Sequence, residues 1–216
     1  MKERKIFLAG LGKTGTTTLH FTLEAAGLKS IHDDRWVKES WDCNREWFAQ
    51  AEVFSDSYYD LPQDLRDRGV TAPNVEWLNC NYDGYFILNT RSLKSWAISM
   101  WNHGVRRHRE GWGPELNSKE NMIEHIKYRN TYHREVIEYF KEKNNFCFLN
   151  LSSESEFSVL QKLKKATGIA VNNLVTRNVT MNTSEYNKEP QEVLEALDAL
   201  QIKPHHYDET VIEFLK

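Results

Sequence analysis

The chain has 216 residues, 40% of them hydrophobic, and its 28 Lys and Arg against 31 Asp and Glu give a net charge of −3. That length can bury a full core within one domain, expected to span 1–216, and the slightly acidic balance argues against a general nucleic-acid binder, so any basic site must be local. Cys43, Cys80 and Cys147 are widely spaced with no Cys-x-x-Cys, which fits a reducing cytosol better than a disulfide or zinc framework.

In chain order, apolar runs at roughly 5–10, 28–31, 51–55, 85–90 and 146–151 read as strands, separated by helical stretches. That alternation predicts an α/β fold of three layers, α/β/α, around a central parallel sheet. Between the first two strands, the amphipathic run from Thr17 to Ala26 is closed by Gly27, a usual helix exit. Ser92 can cap the helix that follows the fourth strand. The helix near 118–143 carries Met122, Ile123, Ile126, Val136, Ile137 and Phe140 at mostly helical intervals, a stripe that belongs to the core. After the fifth strand, Leu160 to Thr167 reads as a helix with Gly168 as its exit. The basic cluster Arg106-Arg107-His108-Arg109 is brief and reads first as a solvated helix end, though it could meet an acidic acceptor. No span approaches the ~20 apolar residues of a membrane helix, and the apolar run after Met1-Lys2-Glu3-Arg4-Lys5 is too short for a signal peptide, so the expectation is a cytoplasmic protein with no membrane partner.

The first nineteen residues carry the chemistry: an apolar strand, the turn Gly10-Leu11-Gly12-Lys13-Thr14-Gly15, and a threonine-rich helix start at Thr16-Thr17-Thr18. Glycines let backbone amides approach an anion, a helix start aims its positive end there, Lys13 adds a full charge and the threonines add hydroxyl donors. A nucleoside-triphosphatase loop needs a glycine five positions before Gly12, where this chain has Phe7, so the expected site is P-loop-like without the P-loop's spacing. Ligands in parallel sheets bind at the carboxyl ends of strands. Lys13, His32, Asp56 and Arg91 each come at or just past such an end, which predicts their convergence on one edge.

Gly12-Lys13-Thr14-Gly15-Thr16-Thr17 resembles the 5′-phosphosulfate loop of sulfotransferases, enzymes that take 3′-phosphoadenosine-5′-phosphosulfate (PAPS) as donor. A second segment, Tyr85 to Ser99, is similar to the family's strand, its arginine and a serine eight residues later, here Arg91 and Ser99. The resemblance implies that Gly12 to Thr18 form a phosphosulfate-binding loop, that Arg91 and Ser99 hold the 3′-phosphate, that the product is 3′-phosphoadenosine 5′-phosphate (PAP), and that no metal is needed. The spacing is sensible by itself, since Ser99 lies about two helical turns beyond Ser92 and a planar guanidinium suits a phosphate. Taken without the loop, Arg91 suits a surface salt bridge and Ser99 an ordinary helix position. The chain departs from the family in having Gly12 where proline is common, and in lacking an arginine-lysine-glycine segment near the carboxyl terminus, where Arg177 is a candidate substitute.

Sulfuryl transfer needs an in-line acceptor, charge stabilisation on the leaving phosphate and a base for the acceptor's proton. Lys13 is the expected stabiliser. His32 and Asp56 are the candidate bases, with His20 and His103 behind them. The acceptor is expected to be a small molecule or carbohydrate with a hydroxyl or amine, in a pocket to which Trp36, Trp41, Tyr58, Tyr59, Trp101 and Trp112 could contribute, and loops 33–48 and 103–117 are expected to shape its choice. Two other readings fit the residues: a small-molecule kinase with Asp56 on magnesium and Asp33 or Asp34 as base, and a non-catalytic nucleotide-binding module.

Overall fold

The structure is a computed structural model, and it describes residues 4–32, 51–55, 75–109, 118–175 and 189–202. Five strands, β1 (Lys5–Leu8), β2 (Ser30–His32), β3 (Val53–Ser55), β4 (Gly84–Thr90) and β5 (Phe146–Asn150), form one sheet in the order β2-β3-β1-β4-β5. Every pairing is parallel. Around it lie α1 (Thr16–Ala25), α2 (Val75–Asn81), α3 (Leu93–Arg109), α4 (Lys119–Phe140), α5 (Glu156–Thr167) and α6 (Gln191–Ala199).

The side-chain alternation of β1 separates the two faces. Ile6 and Leu8 join Leu19 and Leu23 of α1 and Val159, Leu163 and Ala166 of α5 in one apolar layer. Phe7 and Ala9 join the opposite layer, with Leu78 of α2, Trp96 and Ala97 of α3, Ile126 and Val136 of α4 and Val193 and Leu197 of α6. The fold is therefore a three-layer α/β/α sandwich around a central parallel sheet, as expected. All seven residues of β4 are buried, the apolar run Tyr85 to Leu88 and the polar Asn89 and Thr90 alike: a parallel strand covered on both faces has no wet side.

Register is held by an aromatic ladder. Phe54, Phe7, Phe86 and Phe146 are successive partners across β3, β1, β4 and β5. The rings of Phe7 stack on Phe54 at 5.4 Å and on Phe86 at 5.1 Å, and Phe140 of α4 closes on Phe86 and Phe146 at 4.9 and 4.8 Å. A slip of one residue would turn every ring to the other face, so the ladder specifies the pairing.

Helix ends follow the sequence signals. Gly27, at φ 93°, lets its amide reach Glu24 O at 2.9 Å and that of Leu28 reach Leu23 O at 3.1 Å, the paired bonds of a left-handed helix exit. Gly168, at φ 76°, ends α5 with a bond to Lys164 O at 2.8 Å. The stretch 103–109, expected as part of an irregular loop, continues α3 instead. Arg106, His108 and Arg109 are exposed at its end, where the helix dipole favours cations. Among the described residues, no helix is long and apolar enough to cross a membrane.

The chain leaves β1 towards β2 and leaves β4 towards β5, in opposite directions. The sheet therefore changes direction between the neighbours β1 and β4, and the crevice beyond their carboxyl ends is where such a sheet takes a ligand.

Candidate functional site

The loop from Gly10 to Gly15 leaves β1 and turns back into α1 at this switch point. Two of its residues take left-handed backbone, Lys13 at φ 67° and Gly15 at φ 93°, with Thr14 between them. Left-handed backbone of this kind shapes concave anion nests, here with the Thr14 amide turned back onto Leu11 O at 3.3 Å. The left-handed position beside Gly15 falls on Lys13, a conformation that costs a residue with a Cβ roughly 1–2 kcal/mol. Strain of this kind gathers at binding sites. Gly15 is required twice over, by its φ and because a Cβ there would overlap the Leu151 side chain. Gly10 is required by proximity, since its Cβ would run into Asn89. At the N-cap of α1, Gly15 brings no side chain back onto the helix's first amides, and the first turn carries no carboxylate, so its positive end faces the nest.

The loop is fastened to β4 by a residue that the sequence did not single out. Asn89 is fully buried and uses both ends of its carboxamide: Oδ1 accepts from Gly10 N at 3.1 Å, and Nδ2 donates to Thr14 Oγ1 at 2.8 Å and Thr14 O at 3.4 Å. Thr14 is itself fully buried, and its hydroxyl donates to Leu11 O at 2.5 Å. Thr14 therefore braces the loop internally and is corrected from its expected place among the ligand donors. Thr16 is also buried, while Gly12, Lys13, Thr17 and Thr18 keep partial exposure around the helix start.

Arg91 follows β4 directly, on the adjacent strand of the crevice, and donates from Nη2 to Ser95 Oγ at 2.5 Å. Its partial burial pulls the guanidinium below its ordinary pKa. The helix partner holding Arg91 is thus Ser95, one turn nearer than Ser99, which lies half-buried farther along α3. Ser92 begins α3 with its carbonyl accepting from Trp96 N at 2.9 Å, and its own amide donates to Ser152 Oγ, beyond β5, at 3.1 Å.

Two further elements close on this edge. Trp96 of α3 donates its indole N–H to Gly12 O at 3.0 Å. Tyr132 of α4 donates its hydroxyl to Ala9 O at 2.8 Å, and burial lifts its pKa well above the usual phenol value, so it stays a donor. Arg129, one turn earlier on α4, is fully buried and donates from Nη2 to Thr90 Oγ1 at 3.1 Å and Arg91 O at 2.9 Å. Burial pushes its pKa down to about 9, still above neutrality. None of these was legible as functional, because they sit within an apolar stripe. The available signal was a cation and a phenol at core positions of α4, one turn apart.

His32 ends β2 at the far edge of the sheet and is drawn to the loop through α1. Its Nε2 lies 3.0 Å from Thr17 Oγ1 and its Nδ1 lies 2.8 Å from Ser55 Oγ. Ser55 spends its own proton on Ile31 O at 3.2 Å, so the serine oxygen accepts from Nδ1–H. In the neutral ring, Nε2 then accepts from the Thr17 hydroxyl. His20 of α1 stacks on His32 at 5.2 Å, shares a hydrogen bond of 2.7 Å with Ser30 Oγ, and reaches Glu24 at 3.5 Å. Both ring nitrogens of His32 are thus engaged by hydroxyls, and in this arrangement the imidazole orients Thr17.

Among the expected residues, the structure brings Gly12 to Thr18, Arg91 and His32 to the carboxyl end of the sheet. His103 and Trp101 lie farther along α3, where Trp101 packs against the core. Asp33, Asp34, Asp56, Arg177, Trp36, Trp41, Tyr58, Tyr59 and Trp112 fall outside the described residues. Among the described residues, no group of three or more His, Cys, Asp or Glu could hold a metal ion.

No family model matches the chain, and no curated protein matches it significantly. The structure is similar to the crystal structure of mouse sulfotransferase SULT7A1 complexed with PAP, with a TM-score of 0.49 and 16% identity over 92% of this chain and 63% of that one. The chain thus spans under two thirds of that enzyme's length.

Proposed function

We propose that this chain is a sulfotransferase that moves a sulfuryl group from PAPS to a hydroxyl or amine of a small-molecule or carbohydrate acceptor by in-line displacement. The observation that carries the reading is the pairing of a strained lysine nest at the start of α1 with Arg91 on the neighbouring strand, fastened to each other through Asn89. One anion site at a helix start suits any phosphate, but a second, separated cation at the end of the adjacent strand suits a ligand with two phosphate groups. The residues present fit that donor: the nest and helix dipole receive its 5′ end, and the planar fork of Arg91 receives the 3′-phosphate.

When bound, PAPS supplies an activated sulfuryl group whose bond to the 5′-phosphate breaks as the bond to the acceptor forms. Lys13 and the first amides of α1 stabilise the charge that gathers on the leaving phosphate. Thr18 orients the same end, and Thr17 joins it when its hydroxyl proton turns from His32 Nε2 to the phosphate. The acceptor's proton passes to His32 or Asp56. His32 would first have to release Thr17, and Asp56 is the next residue after β3 in the chain.

Calorimetric titration of PAP against AMP and ADP, without magnesium and then with it, tests the reading. The expected result is metal-independent binding that favours PAP and loses that preference in Arg91→Ala. Preference for magnesium-bound ADP would replace the proposal with a kinase. Binding of PAP without turnover across an acceptor screen, and with Lys13→Ala indistinguishable from the parent in affinity, would remove catalysis from it.

A further inference from the structure

The stripe of α4 that faces the sheet is apolar at Met122, Ile126, Val136 and Phe140, yet its centre holds the fully buried guanidinium of Arg129. Placing a cation there is costly, and an apolar side chain of similar length would satisfy the packing. What the guanidinium does with that position is specific. It donates to Thr90 Oγ1 and to the Arg91 carbonyl, and its Cζ lies 5.4 Å from the centre of the Trp96 ring. Trp96 in turn donates to the Gly12 carbonyl. A continuous path therefore runs from the phosphate loop through Trp96 and Arg129 to the main chain of Arg91.

The geometry points to Arg129 as a positioning residue for recognition of the second phosphate: by fixing the Thr90–Arg91 main chain, it sets the direction in which Arg91 presents its guanidinium to the ligand. This rests on the reading of Arg91 as the ligand of the 3′-phosphate. Arg91 projects from the first residue after β4, where regular ladder bonding has ended, so its side-chain direction follows the orientation of that peptide. The Ser95 bond steadies the tip of the side chain, and Arg129 steadies its root. Through Trp96, the same residue keeps that root in register with the loop that receives the other end of the donor. Arg129 belongs to the selectivity between a 3′,5′-bisphosphate and a 5′-monophosphate, and leaves the 5′ end to the nest.

The test is the ratio of AMP to PAP dissociation constants, measured by calorimetry on the full chain for the parent, Arg129→Lys and Thr90→Val. Lysine keeps the charge but is shorter and lacks the planar guanidinium that carries Nη2 to both acceptors. Valine keeps the strand and removes one of the two. The expected ratio falls roughly tenfold in Arg129→Lys, the scale of one charge-assisted hydrogen bond, and about threefold in Thr90→Val, with AMP affinity within about twofold of the parent in both. An unchanged ratio in both variants, accompanied by a lower melting temperature, would overturn the proposal and leave Arg129 a packing residue. Should Arg129→Lys fail to fold, Thr90→Val decides by the same ratio. A parent that binds AMP and PAP equally would defeat the sulfotransferase reading instead. Hydrogen exchange at the amides of residues 90–92 in the nucleotide-free protein then decides for Arg129: faster exchange in the variants upholds its hold on this main chain, and unchanged protection refutes it.

Discussion

Replacing Asn89 by Ala probes the joint between the phosphate loop and β4 with a side chain that no ligand need touch. The carboxamide makes three bonds, to Gly10 N, Thr14 Oγ1 and Thr14 O, at a site with no exposure. Truncation leaves the buried Gly10 amide without its acceptor, a loss of about 1–3 kcal/mol, and removes two weaker contributions of about 0.5–1.5 kcal/mol each. The 3.4 Å bond to Thr14 O is at the long end and earns the bottom of that range. A central expectation is about 3 kcal/mol, a large part of the ~5–15 kcal/mol that holds a domain together. For a chain of this size that corresponds to a fall in melting temperature of about 6–12 °C. Thermal unfolding followed by far-ultraviolet circular dichroism measures it, and PAP titration on the folded protein measures its consequence, a weaker site because the nest is no longer anchored. Asn89→Asp should be worse for binding than for stability, since it keeps the acceptor for Gly10 and places a carboxylate beside the anion nest. A fall of less than about 2 °C in Asn89→Ala, with PAP affinity unchanged, would refute the argument that this side chain fixes the loop.

Lys13→Gly should abolish sulfuryl transfer without lowering the melting temperature, because relief of ~1–2 kcal/mol of left-handed strain offsets the ~0.5–1 kcal/mol entropic cost of glycine. A clear loss of stability would show that Lys13 also serves the fold. Gly15→Ala should cost upwards of about 2 kcal/mol, combining strain at φ 93° with overlap on Leu151, and adding Leu151→Ala should restore only the overlap part; urea midpoints of the single and double variants resolve the two. Arg91→Ala should weaken PAP about tenfold or more and leave AMP nearly untouched, read by the same titration. Burial pushes the Cys147 thiol up to about 11 from 9.0, so the unfolded chain ionises first and stability is present below pH 9 and lost as the pH rises towards 11. Urea unfolding should show the decline, and Cys147→Ala should lessen it between pH 9 and 10, before the buried tyrosines Tyr85 and Tyr132 add a loss of the same sign; an equal slope in both proteins there would assign the alkaline loss elsewhere.

Local chemistry made much of this protein legible in advance. The segment Tyr85 to Thr90, apolar through Leu88, read as a strand buried on both faces, and Gly27 and Gly168 marked helix exits because a left-handed turn is cheap for them. The turn around Lys13 announced an anion site because its glycines, its charge and the helix start lie within a few residues of each other. The sequence misplaced the parts whose geometry is set by distant partners. The left-handed backbone of the turn falls on Lys13, and the neighbouring Gly12 carbonyl is held by Trp96, 84 residues away, neither of which the turn's own residues announce. Thr14 was expected to face a ligand, and Asn89, 75 residues away, claims it for the interior. Arg129 and Tyr132 were hidden in a stripe that periodicity assigns to the core, and only the approach of α4 to the ends of β1 and β4 gives them acceptors, Tyr132 across 123 residues. Periodicity and spacing by themselves indicated the five strands, most of the helices between them and the three-layer arrangement, since those follow from steric and burial preferences of neighbouring residues. The tertiary structure decided which polar groups brace the site and which face outward, because a hydrogen bond between segments far apart in the chain leaves no trace in either segment's own pattern.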